Sequence, residues 1–254
     1  MQGLKNMTGN KALRNIVYMT ITTLWLGGCA GPYQGPVSDH FDGEEFFNPG
    51  KPMVKSFGSF VKWRLTSERQ YWPEYQNLPA YDRPPERVYG DDLRISWVGH
   101  VTVLIQTQGL NILTDPVWSE RASPVSWAGP RRVHPPGIAF TDLPPIDAVL
   151  VSHNHYDHLD LATLERLQQR HRPRIIVPLG NDRLLFGREP AIIAEAYDWG
   201  EKVALSDAVA VHLDPMHHWS ARGLFDRNRA VWAAFTITTP GGSICFVGDT
   251  GYGN

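Results

Sequence analysis

Short runs of alternating apolar and polar residues predict the first strands of this chain. Residues 93–98 alternate, residues 101–107 alternate again, and residues 110–114 follow a turn at Gly109. Three such runs with tight connections are typical of an antiparallel meander. Further strands are predicted by apolar or alternating runs at 148–151, 174–177, 208–212, 231–238 and 243–247.

Leucines at helical spacing follow the run at 148–151. Leu161, Leu164 and Leu167 share one helix face, and Asp160 is a residue type that caps a helix N-terminus. A second short helix is predicted to begin over 181–186. Strands interleaved with helices indicate an α/β fold, and 254 residues suffice for one such domain, with or without an extension.

Four potential metal ligands follow the run at 148–151 within six residues: His153, His155, Asp157 and His158. In extended backbone, residues two apart project to the same side, so His153 and His155 can converge on one point. Imidazoles and a carboxylate packed this closely are costly to bury unless a divalent cation binds them. A solvated polar loop is the alternative, but ordinary loops favour Gly, Asn and Ser. We therefore predict a metal site.

Polar residues follow other predicted strands as well. Asp115, the pair His217 and His218, and Asp249 all stand at such strand ends, which meet at one edge in an α/β sandwich. Spacing alone does not separate His217 from His218. Asp115 precedes a proline and is either a turn residue or an acceptor that fixes the tautomer of a ligand imidazole.

One further histidine and two arginines are considered for a place in the site. His100 is predicted to hold a strand end. The long connection 117–146 is typical of a functional loop and contains Arg131 and Arg132. These arginines are candidates to contact a substrate phosphate, and a solvated loop pair is the alternative.

Composition narrows the class of partner. With 42% hydrophobic residues, 20% charged residues and a formal net charge of −2, the chain has no global positive field, and we predict no nucleic-acid partner. The two cysteines, Cys29 and Cys245, lie far apart, so no disulfide framework is expected. Cys245 lies in an apolar run and is predicted to be a small buried hydrophobe.

The chain is predicted to have three parts. Residues 1–29 combine a basic start with a short apolar core and end in Gly-Gly-Cys29, which resembles a bacterial lipoprotein signal peptide. A lipidated Cys29 would tether the protein to a membrane surface, so we expect a lipid-anchored, extracytoplasmic protein of the bacterial cell envelope. A plain signal peptide and an uncleaved anchor are the alternatives. Residues 30–91 are predicted to be a tether and an aromatic, basic extension, and residues 92–254 the α/β domain.

The order of the motifs resembles the metallo-β-lactamase fold hydrolases. The pattern His153-x-His-x-Asp-His158, then His218-Trp219, then Gly248-Asp-Thr-Gly251 carries the resemblance. It implies an αββα sandwich and two zinc ions. It places His153, His155 and His218 at the first zinc, Asp157 and His158 at the second, and Asp249 between them. Asp157 and Asp249 would be the catalytic carboxylates.

A closer resemblance is to the N-acyl-phosphatidylethanolamine-hydrolysing phospholipase D branch. Trp97-Val-Gly-His-Val-Thr102, Leu113-Thr-Asp-Pro116 and Leu143-Pro-Pro-Ile-Asp147 carry it. It implies a zinc phosphodiesterase that cleaves this phospholipid to N-acylethanolamine and phosphatidate. Another hydrolase of the same fold (a lactonase, thioesterase or nuclease) and a non-catalytic metal-binding lipoprotein remnant are the alternatives.

One departure from the family concerns the second zinc. In the family a further histidine, well beyond the Gly-Asp-Thr-Gly stretch, completes that site, and this sequence stops at Asn254 without it. We therefore expect the C-terminal part of the sandwich to be missing here, in a fragment or a degenerate member, which puts the activity of these 254 residues in question.

Overall fold

The computed structural model describes residues 31–50, 57–68, 71–78, 82–223 and 225–251. The predicted signal segment with Cys29 lies outside these residues. Within the described part of the chain, no helix is long and apolar enough to cross a membrane.

Six strands form a mixed sheet, which is called the first sheet below. Its members are β1 Arg94–Gly99, β2 Thr102–Thr107, β3 Leu110–Thr114, β4 Ala148–Leu150, β5 Arg174–Pro178 and β6 Ala194–Tyr197, and they lie side by side in chain order. Strands β1, β2 and β3 are antiparallel neighbours, which confirms the predicted meander. From β3 to β6 the strands are parallel.

A second sheet of four antiparallel strands follows. It consists of β7 Lys202–Ala204, β8 Ala210–Asp214, β9 Ala234–Thr239 and β10 Gly242–Phe246, in the order β10-β9-β8-β7. The sequence patterns did not predict β6 and β7. Strand β7 has three residues, too few to establish a period in the sequence, and every residue of β6 is half-buried, so its two faces do not differ in burial.

In the described part of the chain, three helices accompany the sheets: α1 Phe57–Thr66, α2 Leu161–Arg170 and α3 Asn181–Arg188. Helix α2 begins where the leucine spacing predicts, and the Asp160 carboxylate accepts a hydrogen bond from the Thr163 N–H, as a capping residue does. The buried face of α2 presents Leu164 and Leu167 to the first sheet. A short 3-10 helix, Phe140–Asp142, interrupts the long connection before β4.

The first sheet has an apolar core on each face because successive strand residues point to opposite sides. Leu113 and Val149 face α2 and α3, whereas their neighbours Ile112 and Leu150 face the second sheet, where they pack near Phe235. The described residues therefore form three layers, helices on a sheet on a second sheet, which confirms the α/β class and the two stacked sheets of the predicted sandwich.

Residues 31–50 are irregular, as predicted, but they pack against the domain. Phe41 and Phe46 are each 1% exposed and belong to the same core cluster as the buried Trp232. His40 is also buried, with Nδ1 2.6 Å from an Asp39 oxygen and Nε2 2.8 Å from an Asp198 oxygen. A freely moving tether therefore does not describe this segment.

The aromatic extension lies on the surface beside the long connection. The Trp72 indole N–H donates to the Arg131 carbonyl at 2.8 Å, and the Gln76 N–H donates to the Val133 carbonyl at 2.7 Å. Its rings remain open to solvent, with Trp63 60% and Tyr71 100% exposed.

The prediction for Cys245 is wrong. Its thiol is free and exposed, whereas its neighbours Ile244 and Phe246 pack against the core between the sheets. Strand β10 is at the edge of its sheet, and alternation along the strand turns Cys245 to the outer face.

Candidate metal centre

The ends of four strands bring the predicted ligands to one edge of the sandwich. Asp115 directly follows β3, His153 comes three residues after β4, His218 follows β8, and Asp249 follows β10. Because β3 and β4 are parallel neighbours, their carboxyl ends lie side by side. The loop from 152 to 158 leaves β4 at this edge.

Three imidazoles form the first donor cluster. His153 Nε2 lies 2.8 Å from His155 Nδ1, and His218 Nε2 lies 3.2 Å from His153 Nε2 and 3.3 Å from His155 Nδ1. These nitrogens and an Asp249 carboxylate oxygen all lie within 4.8 Å of one another. The structure thus brings together the four residues assigned by resemblance to the first zinc and to the position between the two.

Ser152 and Asp115 determine the tautomer of His153. The Ser152 hydroxyl donates to Asp115 Oδ2 at 2.6 Å, so its oxygen is left to accept from His153 Nδ1–H at 2.9 Å. His153 Nε2 then carries a lone pair toward the cluster. The buried Asp115 carboxylate therefore acts on this ligand through one hydroxyl group.

Burial keeps the first cluster uncharged. Burial, followed by repulsion from His158 and His155, lowers the pKa of His153 far below its ordinary value. Burial and then His218 lower the pKa of His155 to about 4, and burial also lowers the pKa of His218. Neutral imidazoles are the form that ligates metal ions.

A second donor cluster contains His100, Asp157 and His158, with donor atoms within 4.8 Å of one another. Burial alone would raise the pKa of Asp157, but the hydrogen bond from His100 and the charge on His158 lower it to about 2. That bond joins His100 Nε2 to Asp157 Oδ2 at 3.0 Å. His100 therefore contacts a predicted ligand, whereas we expected it to hold a strand end.

Asp115 also anchors the second cluster. His158 Nδ1 lies 2.7 Å from Asp115 Oδ2, and both side chains are fully buried. Burial alone would lower the pKa of His158, but the hydrogen bond to Asp115 and the nearby Asp249 and Asp157 carboxylates raise it to about 10. In the metal-free protein this imidazole keeps a proton that a metal ion must displace.

Asp249 lies between the two clusters. Its Oδ1 is 3.4 Å from His158 Nε2, and its Oδ2 is 3.8 Å from His218 Nε2. Gly248 allows this position, because its φ is +67° and an added Cβ would lie 2.8 Å from Ser152 Oγ. The Asp249 side chain is 42% exposed, so the carboxylate also faces solvent.

The donor set fits a divalent metal ion. Within the described residues, His158 Nε2 is buried and makes no hydrogen bond, with the nearest carboxylate oxygen, Asp249 Oδ1, 3.4 Å away, and buried polar atoms rarely lack such a bond. Two of the three nitrogen–nitrogen separations in the first cluster, 3.2 and 3.3 Å, approach the ~3.3 Å between nitrogens held tetrahedrally at zinc–nitrogen distances, and the third, 2.8 Å, is shorter. Imidazole and carboxylate ligands suit zinc and several other transition metals.

The remaining candidates lie apart from the donor clusters. The Arg131 guanidinium pairs with Glu120, so this contact occupies it without a substrate. Arg132 donates to the Val117 carbonyl at 2.7 Å, while its buried Nε has no hydrogen-bond partner among the described residues. His217 is exposed, and its carbonyl accepts the Gly251 N–H at 2.6 Å. Of the two adjacent histidines, only His218 directs its ring at the cluster.

Asn48 is a positioning residue that the sequence patterns missed. Its amide Nδ2 donates to the His218 carbonyl at 2.8 Å, and its Oδ1 accepts the His218 N–H at 3.2 Å. The Trp232 indole N–H approaches the same oxygen at 3.3 Å. Asn48 thus forms hydrogen bonds with both polar groups of the His218 backbone, the N–H and the carbonyl. The sequence contains one signal for this role, a polar residue shortly after two aromatic residues that prove to be buried. The pair Asn48-Pro49, however, is more typical of a turn.

Asn48→Ala should weaken metal binding at the first cluster by about 10–100-fold, the range typical of losing a partner that orients a ligand. The His218 backbone would lose both hydrogen bonds from Asn48, so its imidazole would still be present but would be oriented less firmly toward the cluster. Competition with a zinc chelator measures the affinity. Asn48→Asp keeps the acceptor but loses the donor, so its metal affinity should lie between that of the wild type and that of the alanine variant. An alanine variant that binds metal like the wild type would refute this role.

Comparison with known proteins agrees with the geometry. A family model described as a beta-lactamase superfamily domain matches residues 110–254. The chain is 41% identical over 194 residues to an uncharacterized protein of Mycobacterium tuberculosis, across 76% of this chain and 51% of the relative.

Two further relatives have named activities. N-acyl-phosphatidylethanolamine-hydrolyzing phospholipase D 1 of Caenorhabditis elegans is 34% identical over 199 residues, across 70% of this chain and 56% of the relative. The mitochondrial N-acyl-phosphatidylethanolamine-hydrolyzing phospholipase D of Saccharomyces cerevisiae is 35% identical over 160 residues, across 62% and 34%. The chain spans about half the length of the first two relatives described here. From the matched region and the ligand pattern that it contains, this chain belongs to the beta-lactamase superfamily, within which it has the metallo-β-lactamase fold.

Proposed function

We propose that the chain is part of a zinc-dependent phosphodiesterase that hydrolyses N-acyl-phosphatidylethanolamine to N-acylethanolamine and phosphatidate. The observation that carries the proposal is the pair of adjacent donor clusters joined by Asp249, a pattern suited to two metal ions at one phosphoryl group. The similarity to two relatives named for this activity supports the choice of substrate.

Each residue has a distinct place in this proposal. His153, His155 and His218 would hold one zinc ion, Asp157 and His158 the other, and Asp249 would lie between them. Bound there, the two ions would polarise the phosphoryl group and activate water for attack. The water oxygen bonds to phosphorus, the phosphorus–oxygen bond to the N-acylethanolamine breaks, and the departing alcohol gains a proton.

Protein groups at the mouth of the site orient the reactants. The Asp157 and Asp249 side chains are 41% and 42% exposed, and contacts with histidines lower both pKa values. The carboxylates therefore stay ionised near neutral pH and accept hydrogen bonds from water. Trp219 lies beside His155, with ring centroids 4.3 Å apart, and its partly exposed side chain would offer an apolar surface to the lipid.

Other hydrolases of this fold use the same donor set on different substrates. A lactonase and a thioesterase fit the metal cluster equally well, whereas a net charge of −2 disfavours a nuclease. A non-catalytic metal-binding protein would retain the ligands but turn over nothing.

Isotope labelling tests the proposed reaction. The zinc-loaded protein is incubated with N-acyl-phosphatidylethanolamine in ¹⁸O-water, and the products are separated by mass spectrometry. We expect N-acylethanolamine without label and phosphatidate with one labelled oxygen, because attack occurs at phosphorus. Release of labelled fatty acid would instead indicate an acyl hydrolase. Turnover of a lactone or thioester but not of the phospholipid would reject the proposed substrate.

We also propose that the protein is lipid-anchored through Cys29 in the bacterial cell envelope, where its substrate class resides. The lipobox-like sequence motivates this proposal, and the exposed Trp63 and Tyr71 are suited to a membrane surface. Cys29→Ala should move the protein from the membrane fraction to the soluble fraction or block its processing. A wild-type protein that stays in the cytosol with residues 1–29 intact would contradict it.

A further inference from the structure

A polar pocket lies beside the loop that carries the metal ligands, on the side of helices α2 and α3. Its volume is about 270 Å³, several times the ~30 Å³ that one water molecule occupies in the liquid. Three arginines from separate parts of the chain line it: Arg121, Arg188 and Arg222. Neither donor cluster contributes a metal ligand to the lining.

Among the described residues, none of the three guanidinium groups forms an ion pair with a carboxylate. Arg121 donates to the Gly129 carbonyl at 2.6 Å, and Arg222 donates to the carbonyls of Asn154 and Leu159 at 3.0 and 2.7 Å. Arg188, the last residue of α3, is directed at the same pocket. Arg121 and Arg222 are partly buried, whereas Arg188 is exposed. Charged groups that are partly buried are normally paired, so Arg121 and Arg222 leave room for an anion beside them.

The electrostatics of Arg222 agree with this geometry. Burial is the main reason that the pKa of Arg222 is lowered; Tyr156, Asp160 and Asp226 act against this shift, whereas the neighbouring Arg188 charge adds to it. Two guanidinium groups therefore repel each other across the pocket. An anion between them would remove that repulsion.

The lining contains one acid, Asp160, so one negative charge faces three positive ones, and this charge raises the pKa of Arg222. Asp160 is 7% exposed, and protein donors occupy its carboxylate. Its Oδ1 accepts from the Ser119 hydroxyl at 2.8 Å, and its Oδ2 accepts from the Ser119 N–H at 2.9 Å and the Thr163 hydroxyl at 2.5 Å. The Ser123 oxygen accepts the Val125 N–H at 3.3 Å, which leaves its own proton free for a ligand.

We propose that this pocket binds a phosphate group, either free in solution or on an anionic lipid. The chemistry is that of several arginine forks and a serine hydroxyl around one tetrahedral oxyanion. Arg222 connects the pocket to the metal loop, because its guanidinium holds two carbonyls of that loop and lies 4.0 Å from the centre of the Tyr156 ring. An anion in the pocket would therefore stabilise the segment between His153 and His158.

Calorimetric titration with inorganic phosphate tests the pocket, with chloride keeping the ionic strength constant. The variant is Arg121→Gln with Arg188→Gln, which removes two cations without touching the metal loop. The matched control is Arg183→Gln, an exposed arginine on the same helix that is not part of the lining. The zinc-loaded wild type should bind phosphate, the control should match it, and the double variant should bind at least about tenfold more weakly.

The outcomes also separate this pocket from the metal centre. If phosphate bound only at the metal ions, the double variant and the wild type would bind it equally tightly, and that result would overturn the proposal. A wild-type protein that shows no saturable binding of phosphate would also overturn the proposal. Circular dichroism confirms that the double variant is folded. Vesicles of phosphatidate in phosphatidylcholine distinguish the source. Loss of their binding in the double variant identifies a lipid headgroup, whereas phosphate binding without vesicle binding identifies a soluble anion.

Discussion

Replacing His153 and His155 together with alanine should remove stoichiometric metal from the protein and lower phosphodiester hydrolysis by at least about a hundredfold. The double variant leaves only His218 of the three imidazoles whose nitrogens lie within 3.3 Å of one another. Metal ions contribute several kcal/mol to stabilising a phosphoryl transition state, and each 1.36 kcal/mol is a factor of ten in rate. Elemental analysis by mass spectrometry gives the metal content, and product release gives the rate.

His217→Ala is the matched control for this experiment. His217 is adjacent to a ligand but exposed, so its replacement should leave the metal content unchanged. Circular dichroism shows whether each variant is folded. A double variant that retains the metal content of the wild type would mean that the histidine cluster is not the metal site.

Asp115→Ala should have the largest effect on stability, roughly 3–5 kcal/mol, which is typical of removing one partner of a buried charged pair. The fully buried carboxylate accepts from the Ser152 N–H and hydroxyl, each at 2.6 Å, and from His158 Nδ1 at 2.7 Å. Its removal leaves three donors without an acceptor and takes away the hydrogen-bonded support of one ligand in each cluster. Urea unfolding measures the stability, and chelator competition measures the metal affinity, which should fall as well.

Asp115→Asn separates charge from shape. The amide keeps one oxygen acceptor but replaces the other oxygen with a donor, so stability and metal affinity should lie between those of the wild type and the alanine variant. Asp142→Asn, at an exposed acid, is the control for the loss of a negative charge. An Asp115→Ala protein that unfolds at the same urea concentration as the wild type would contradict the anchoring role.

Local patterns predicted much of the fold and the centre of the site. The meander up to Thr114, the strand before Ser152 and the cap at Asp160 are properties of neighbouring residues, which sequence spacing reports directly. His153 and His155 were predictable for the same reason, because alternation in extended backbone brings side chains two apart together.

Contacts between distant segments were not predictable in this way. The resemblance to a family, rather than spacing, selected His218 over His217, because the choice depends on how the loop after β8 approaches the one after β4. Asn48 reaches His218 across 170 positions, and no local pattern signals such a contact. Cys245 was misplaced because an apolar run does not reveal which face of an edge strand is covered.

The most direct test of the metal centre is anomalous X-ray diffraction at the zinc absorption edge from crystals of the zinc-loaded protein. The account predicts a peak about 2.0–2.1 Å from His153 Nε2, His155 Nδ1 and His218 Nε2, with the Asp249 carboxylate beside it. No anomalous peak at these nitrogens in crystals of protein shown to contain zinc would contradict the assignment of this cluster as the metal site.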